Sequence, residues 1–413
     1  LLKGYDKVLL SSLDEIAWML NVRGSDIDYN PLVISYLLVS QDYVKWFVKK
    51  GASDAELDPD TLDSFSELKM DGVDVEDYDA VFFALSDFGQ DETSGTIFVD
   101  PSTLNSHIYK YLCDSFPADS VVCGMSPVIS EKSIKSHSEV ENFRQAYIED
   151  GVAMERFIHW LEAEVASGRE VTEWEASERL TAFRAEIPGY RGNSFENISG
   201  YGPNAALPHY STPQTGSAVI RPYGLYLVDS GGQYLTGTTD ITRTIPMGEC
   251  TDLEKEDYTL VLRGTTGCHL DAFARMPLWR AQRNFGHGTG HGIGYYLCVH
   301  EGPQEFRQNF NQWPILPGMV MTDEPGLYRE GMHGVRHENT LVCREAGINA
   351  FGNWLEFETI TCCHIDTSAV IKDLLGPEAT AWLNAYNERV YRTLSPLLPS
   401  HVAAWLRGKT MPI

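Results

Sequence analysis

Residues 285–303 read FGHGTGHGIGYYLCVHEGP, three histidines and six glycines in nineteen residues. Imidazole can ligate a metal, carry a proton or donate to an anion, and the backbone decides which of these it can reach. Glycine occupies 286, 288, 290, 292 and 294. A helix there would cost about 1 kcal/mol per glycine relative to alanine. The alternation predicts an extended strand instead, with His287, Thr289, His291 and Ile293 on one face. At ~3.3 Å per residue, His287 and His291 then lie about 13 Å apart. Two nitrogens on one ion at ~2.1 Å lie no more than ~4 Å apart, so at most one of the pair ligates a given ion. No Lys-Ser/Thr follows the glycines and the spacing is not GxGxxG, which disfavours a phosphate loop. Taken alone, the stretch fits a buried glycine-rich strand as well as it fits an active site.

Carboxylates shift that balance. LYLVDSGGQYLTGTTDITRTI ends one strand-like run in Asp229 and opens the next with Asp240, which shares a face with Thr242 and Thr244. PGMVMTDEPGLY places Glu324 between a hydrophobic strand and a Pro-Gly turn, and GVRHENTLVC places Glu338 at the head of another strand. A buried carboxylate needs a cation, donors or a raised pKa. Any one of these acids could simply end a strand or cap a turn. Two Asp, two Glu and one His at the edges of strand-like runs within about 110 residues fit a metal centre better. Oxygen-rich ligation with one imidazole suits Mn²⁺ first, then Co²⁺ or Zn²⁺. Four carboxylates among five ligands suit two ions with bridging carboxylates.

The elements that would hold these residues form two regions. Up to about residue 125, strand-like runs (KVLLSS, PLVISYLLVS, YDAVFFALS, SGTIFVD) alternate with helix-like ones (SLDEIAWML, LNSHIYKYLCDSF), which predicts an α/β domain. FPADSVVCGMSPVISEKSIKSHSE, rich in Pro, Ser and Gly, makes the junction. A helix follows, with Ser138 and Glu141 as its capping box. Val140, Phe143, Tyr147, Met154, Phe157, Ile158, Leu161 and Val165 form its core stripe. VTEWEASERLTAFRAEI reads as a second helix, 216–245 as alternating strands, and 364–413 as helical again.

Composition excludes other classes. The chain has 413 residues, 43% hydrophobic and 22% charged, and a net charge of −26. That charge argues against nucleic-acid binding, which needs clustered Lys and Arg. Eight scattered cysteines show no disulfide framework and point to reduced thiols in a cytosol-like compartment. No apolar run approaches the roughly 20 residues of a membrane span, and the Lys-interrupted first ten residues are not a signal peptide. The sequence opens without Met directly into a strand, which points to a fragment of a longer product.

The ordered set D-x10-D, GTGHGIG, TDEPG and RHEN resembles the pita-bread metallopeptidase family M24B. Within it, PHYST, DSGGQYLTGTTDITRT, HGTGHGIG…VHEGP and TDEPGLY are similar to the Xaa-Pro aminopeptidase (aminopeptidase P) branch of eukaryotic cytosolic type, over nearly the whole chain. The resemblance implies an α/β (α+β) fold. It places a creatinase-like α/β domain over 1–130, a pita-bread catalytic domain over 131–365 and a C-terminal helical extension over 366–413. It makes Asp229 a terminal ligand of one ion, Asp240 and Glu338 bridges, and His291 and Glu324 the remaining ligands of the second. His209 and His300 would hydrogen-bond substrate and the tetrahedral intermediate, His287 would line the prolyl side, and Arg336 would brace Glu338. Two divalent ions, Mn²⁺ first, would supply a hydroxide nucleophile, and Glu324 would pass a proton to the leaving prolyl nitrogen.

The implied activity is removal of the N-terminal residue from peptides with proline second, by a cytoplasmic homodimer. A dipeptide-only prolidase and a non-catalytic peptide-binding module are the alternatives. Relative to the family, about a dozen residues, some three helical turns, are missing near residue 264. His337 stands where relatives often carry an aliphatic residue.

Overall fold

The structure is a computed structural model that describes every residue except 1, 3, 50–58, 91–94 and 268–269. It divides into two units, Leu1–Lys132 and Ser133–Ile413.

The first unit is built on a six-stranded mixed sheet in which Lys7–Leu10 pairs antiparallel with Ser35–Ser40 and parallel with Ile97–Val99. Alternation sends Leu9, Leu38 and Val99 into one cluster and Val8, Leu10, Leu37 and Phe98 into another. Helices cover both faces: Val81, Leu85, Ile108 and Leu112 pack in the first cluster, Ile16 and Leu68 in the second. One predicted strand is a helix. YDAVFFALS forms a 3-10 turn over Tyr78–Ala80 and the helix Val81–Gln90. The run buries Val81 and Leu85 four residues apart and leaves Phe83 74% exposed, a helical period and not an alternating one. Asp77 caps the turn by accepting from the Asp79 N–H. The strands Val44–Val48, Val73–Asp77 and Val121–Cys123 complete the sheet; the first two were not legible from pattern, and the third lies in the stretch read as the junction.

In the second unit, the 30-residue helix His137–Ala166 buries the predicted stripe from Val140 to Val165. Its cap lies two residues earlier than expected. Ser136 accepts from the Glu139 N–H, and Glu139 reaches back to the Ser136 N–H at 2.8 Å. SHSEVE contains two overlapping S-x-x-E frames, and the chain uses the first. That helix and Glu173–Ala185 pack on one side of the strands through Tyr226, Val228, Ile241, Ile293, Val320 and Val342. On the other side lie Asp252–Gly267 and the C-terminal helices Pro377–Leu394 and Ser400–Lys409, with Leu225, Leu327 and Val335. The strands therefore form an inner layer between helical layers, and their ends are free to carry polar groups.

The suspected shortening near residue 264 falls within the helix Asp252–Gly267, which runs through that position; Cys268 and His269 beyond it lie outside the described residues. A Cβ on Gly264 would sit 2.5 Å from the Ala274 carbonyl oxygen and 3.3 Å from Pro325 Cγ. Glycine here lets this helix close on Asp271–Arg280 and on the residue after Glu324.

The glycine stretch is less extended than predicted. Only Gly290–Gly292 is a strand, paired with Glu301–Phe306 on one side and Val320–Asp323 on the other, with an irregularity after His291. His287 and His291 line the same cavity, but Thr289 turns to Asp271 and Ile293 enters the core. The glycines serve close strand packing more than substrate access. A Cβ on Gly290 would lie 2.0 Å from the Thr322 carbonyl oxygen, and one on Gly292 would lie 2.3 Å from that of Glu301. Gly290→Ala is expected to destabilise the protein by about 3 kcal/mol, read as a fall in thermal midpoint. An unchanged midpoint would contradict this packing.

Candidate active site

All nine candidate residues line one cavity of about 440 Å³ in the second unit: Asp229, Asp240, His291, Glu324, Glu338, His209, His287, His300 and Arg336. Strand ends put the acids there. Asp229 lies in Leu225–Ser230 opposite Thr242. Asp240 directly precedes Ile241–Pro246, Glu324 follows Val320–Asp323, and Glu338 precedes Asn339–Asn349. Their backbones are tied across elements. The Asp240 N–H donates to the Tyr147 hydroxyl at 3.1 Å, the Glu324 N–H to the Thr289 carbonyl at 2.7 Å, and the Glu338 N–H to the Thr242 carbonyl at 3.2 Å.

Donor atoms of Asp240, His291 and Glu338 lie within 4.8 Å of one another. His291 Nε2 is 3.6 Å from Asp240 Oδ2 and 3.8 Å from Glu324 Oε1, inside the ~4.2 Å that two ligands at ~2.1 Å from one ion can span. His291 Nδ1 lies 2.9 Å from the Gly292 carbonyl oxygen. A carbonyl only accepts, so Nδ1 carries the proton and the Nε2 lone pair faces the space between the acids, where a cation could take it. Asp229 is 8% exposed, and its Oδ1 is buried with no hydrogen-bond partner.

The electrostatics of this cluster favour cations. Burial, then the charges of Asp229 and Glu324, push Asp240 well above the usual carboxylate range. Burial, then Asp240 and Asp229, do the same to Glu338. Glu324 is raised to about 8 by burial and then by Glu338. Buried like charges cannot all ionise without compensation, and divalent cations supply it. The orphaned Asp229 oxygen, the free His291 lone pair and the mutually repelling acids fit two divalent ions.

The other histidines differ in kind. His287 has both nitrogens engaged. Nδ1 donates to the Gly288 carbonyl at 2.6 Å, and Nε2 accepts from the Tyr328 hydroxyl at 2.8 Å. Burial pushes its imidazole down to about 4, and the Arg336 and Arg275 charges act in the same direction. It is a neutral wall of the cavity. His209 and His300 are exposed on the cavity lining, with the His300 ring 4.3 Å from that of His291. His337 points elsewhere. It is fully buried, edge-on to Tyr258 at 4.5 Å, and pushed by burial down to about 3.

One expected contact differs. Arg336 braces Asp229, donating from Nη2 to Oδ2 at 2.6 Å, and reaches Glu338 only through Thr242. Arg336 ends the strand His333–Arg336, and Glu338 lies in the two-residue interruption before the strand Asn339–Asn349. Sequence neighbours are therefore not side-chain partners here.

Several residues that shape the site do not stand out in the sequence. Tyr328 links Arg336 Nη1, at 2.7 Å, to His287. Buried Arg243 donates to the Glu338 carbonyl at 2.6 Å and to the Cys363 carbonyl and Tyr386 hydroxyl at 2.7 Å. Arg275 holds the carbonyls of Phe285 at 2.7 Å and His287 at 2.5 Å, while Asp271 accepts from both Arg275 and Thr289. An Arg-Asp pair at i,i+4 in a helix, and an Arg among strand threonines, were the available hints.

The chain and its fold have known counterparts. The profile of metallopeptidase family M24 matches residues 141–345, that of the creatinase/prolidase N-terminal domain 2–139, and that of the C-terminal region of peptidase M24 353–413. "Probable Xaa-Pro aminopeptidase P" of Laccaria bicolor is 37% identical, with 100% of this chain and 65% of that protein covered. That of Coprinopsis cinerea is 36% identical, with 98% and 68% covered. Among solved structures, X-prolyl aminopeptidase from Caenorhabditis elegans, described as a cytosolic enzyme with a di-nuclear active site, superposes with a TM-score of 0.90. It is 31% identical, with 100% of this chain and 68% of that one covered. The chain belongs to metallopeptidase family M24, with its creatinase-type N-terminal domain, pita-bread domain and C-terminal region. It spans about two thirds of the length of these relatives.

Proposed function

We propose that this protein removes the N-terminal residue from peptides with proline in the second position, as a metal-dependent Xaa-Pro aminopeptidase. The observation that carries the reading is the meeting of Asp240, His291 and Glu338 donors within 4.8 Å, in a cavity that Asp229 and Glu324 also line. Asp229 and the bridging Asp240 and Glu338 would hold one divalent ion, and His291, Glu324 and the same bridges the second. The oxygen-rich set favours Mn²⁺ over Co²⁺ and Zn²⁺. When bound, such ions supply a water acidic enough to attack at neutral pH and polarise the scissile carbonyl.

The chain's own groups do the rest. Glu324, with 19% side-chain exposure to the cavity, accepts a proton and returns it to the departing prolyl nitrogen. His209 and His300 donate to the developing oxyanion. Neutral His287, locked by Gly288 and Tyr328, bounds the prolyl side without competing for a cation. Asp229 and the negative cavity receive the substrate's α-ammonium, which restricts cleavage to the first residue. Proline's fixed φ and tertiary amide explain why a dedicated pocket is needed.

The three-part organisation over 1–130, 131–365 and 366–413 is part of this proposal, supported by the division at Lys132/Ser133 and the three profile matches. So is a cytoplasmic homodimer. The similarity to an enzyme described as cytosolic supports the compartment, and no helix among the described residues is long and apolar enough to cross a membrane.

Manganese-loaded protein is expected to release arginine from Arg-Pro-Pro, to lose this with chelator, and to prefer Xaa-Pro-Xaa over Xaa-Pro. Strong preference for the dipeptide would favour a prolidase. No release from either, with wild-type behaviour of His291→Ala, would favour a binding module. Light scattering reads the oligomeric state.

A further inference from the structure

His209 sits on a segment that has little reason to hold still. The chain leaves the strand Ile198–Tyr201, passes a 3-10 turn over Gly202–Ala206 and next enters a strand at Val219. Residues 207–218 between them adopt no helix or strand. An exposed imidazole on such a loop keeps an orientation only if the loop is anchored.

Arg336 holds the Pro208 carbonyl at 3.3 Å and Thr212 ties the loop to the Ser199 backbone at 3.0 and 3.1 Å, but one carboxylate reaches the entry, the middle and the exit together. Glu173, 0% exposed, opens the helix Glu173–Ala185, where the helix dipole favours negative charge. Its Oε1 accepts from the Tyr201 N–H at 2.7 Å and from Asn204 Nδ2 at 2.9 Å, at the entry to the loop. Its Oε2 accepts from the Tyr210 hydroxyl at 3.0 Å, immediately after His209. The same oxygen accepts from the Ala218 N–H at 3.1 Å, at the exit, and from Asn204 at 3.1 Å. The Glu173 N–H donates to the Ala218 carbonyl at 2.9 Å, which closes the clasp. No ion pair to this carboxylate occurs among the described residues. The donors to it are neutral, and come from the last residue of the strand Ile198–Tyr201 and from the segment that follows it. A core that needed only packing would place an apolar residue here at lower desolvation cost.

We infer that Glu173 is a positioning residue for His209: it fixes the loop 201–218 at entry, middle and exit, so that the imidazole faces the acid cluster. The inference rests on the proposed aminopeptidase reading for its kinetic consequence, and on the hydrogen bonds alone for its structural one. Both carboxylate oxygens are required. A glutamine would turn an NH₂ group against donors and break at least one end of the clasp.

The test is a double-mutant cycle on the manganese-loaded full chain with Arg-Pro-Pro, together with amide hydrogen exchange. Glu173→Gln is expected to lower kcat/KM about 10²-fold, with unchanged manganese stoichiometry. Added to His209→Ala it should cost nothing further, because its effect runs through that imidazole. Exchange should rise over 202–218 and not in the helix His137–Ala166. If Glu173→Gln fails to fold, Asn204→Ala, outside the cavity lining, removes two of the bonds and should give a smaller loss with the same non-additivity. Losses that multiply independently in the cycle, or unaltered exchange over 202–218, would overturn the inference. If the wild type cleaves nothing, the aminopeptidase reading fails, and the loop clasp is still decided by the exchange.

Discussion

Glu338→Gln is expected to abolish turnover while making the metal-free protein more stable at pH 8. The side chain is 1% exposed, and Thr242 Oγ1, at 2.8 Å, is its hydroxyl donor. Burial, Asp240 and Asp229 all oppose its ionisation. In the folded metal-free protein this group is therefore either charged at a desolvation cost or protonated against the pH, and both disfavour folding. Glutamine keeps the shape and the acceptor for Thr242 and carries no ionisation cost, so a gain on the order of a few kcal/mol is expected. The same change removes a carboxylate proposed to hold both ions, and activity on Arg-Pro-Pro should fall at least ~10³-fold, about 4 kcal/mol of barrier. Thermal melts with chelator at pH 8, beside assays with manganese, decide it. A variant that is less stable, or that keeps activity, would refute the role given to Glu338. A site built against its own stability is the expected signature of function.

How much of this was legible depended on range. The acids were legible locally and as a set, because carboxylates just after LYLV (Asp229) and MVMTD (Glu324) stand at the ends of hydrophobic runs, where a buried charge needs a partner. Glycine at every second position excluded a helix, and the stripe from Val140 to Val165 is fully buried as read. What pattern could not show was which strand ends meet. Arg336 pairs with Asp229 across 107 positions and not with its near neighbour Glu338. Tyr147 and Arg243 reach the backbones of Asp240 and Glu338 over more than 90 positions.

Local ambiguity accounts for the remaining differences. SHSEVE offers two equivalent caps, and only the first residue of the helix decides between them. YDAVFFALS is apolar enough for either period, and the choice is made by the sheet below, which buries Val81 and Leu85 together. Glu173 was missed for a third reason: in VTEWEASER it is one acid among several, and its meaning lies entirely in a loop 28–45 residues away. The distinction also separates His287 from His291. Both are glycine-flanked, and Tyr328, 41 positions from His287, leaves only the latter with a free lone pair.

The second large effect is a pH dependence of stability that metal loading flattens. In the metal-free protein Glu324 binds its proton up to about 8, against an ordinary value of 4.5, because burial and Glu338 oppose its charge. Asp240 and Glu338 are raised in the same direction. With folded values above unfolded ones, the folded state holds more protons between about pH 4.5 and 8. The unfolding free energy therefore falls as pH rises through that window. The limit is about 1.4 kcal/mol per pH unit for each group. Cavity water reaching Glu324 reduces this, and a total loss on the order of 2–4 kcal/mol is expected. Divalent ions reverse the balance by replacing protons, so loading at pH 7 should release protons and flatten the stability curve. Calorimetric titration of manganese in two buffers of different ionisation enthalpy counts the protons, and urea unfolding from pH 5 to 8 with chelator reads the slope. Metal-free stability that rises over this range, or manganese binding without proton release, would mean that the acids are compensated from within the chain and that the cluster was not built for cations.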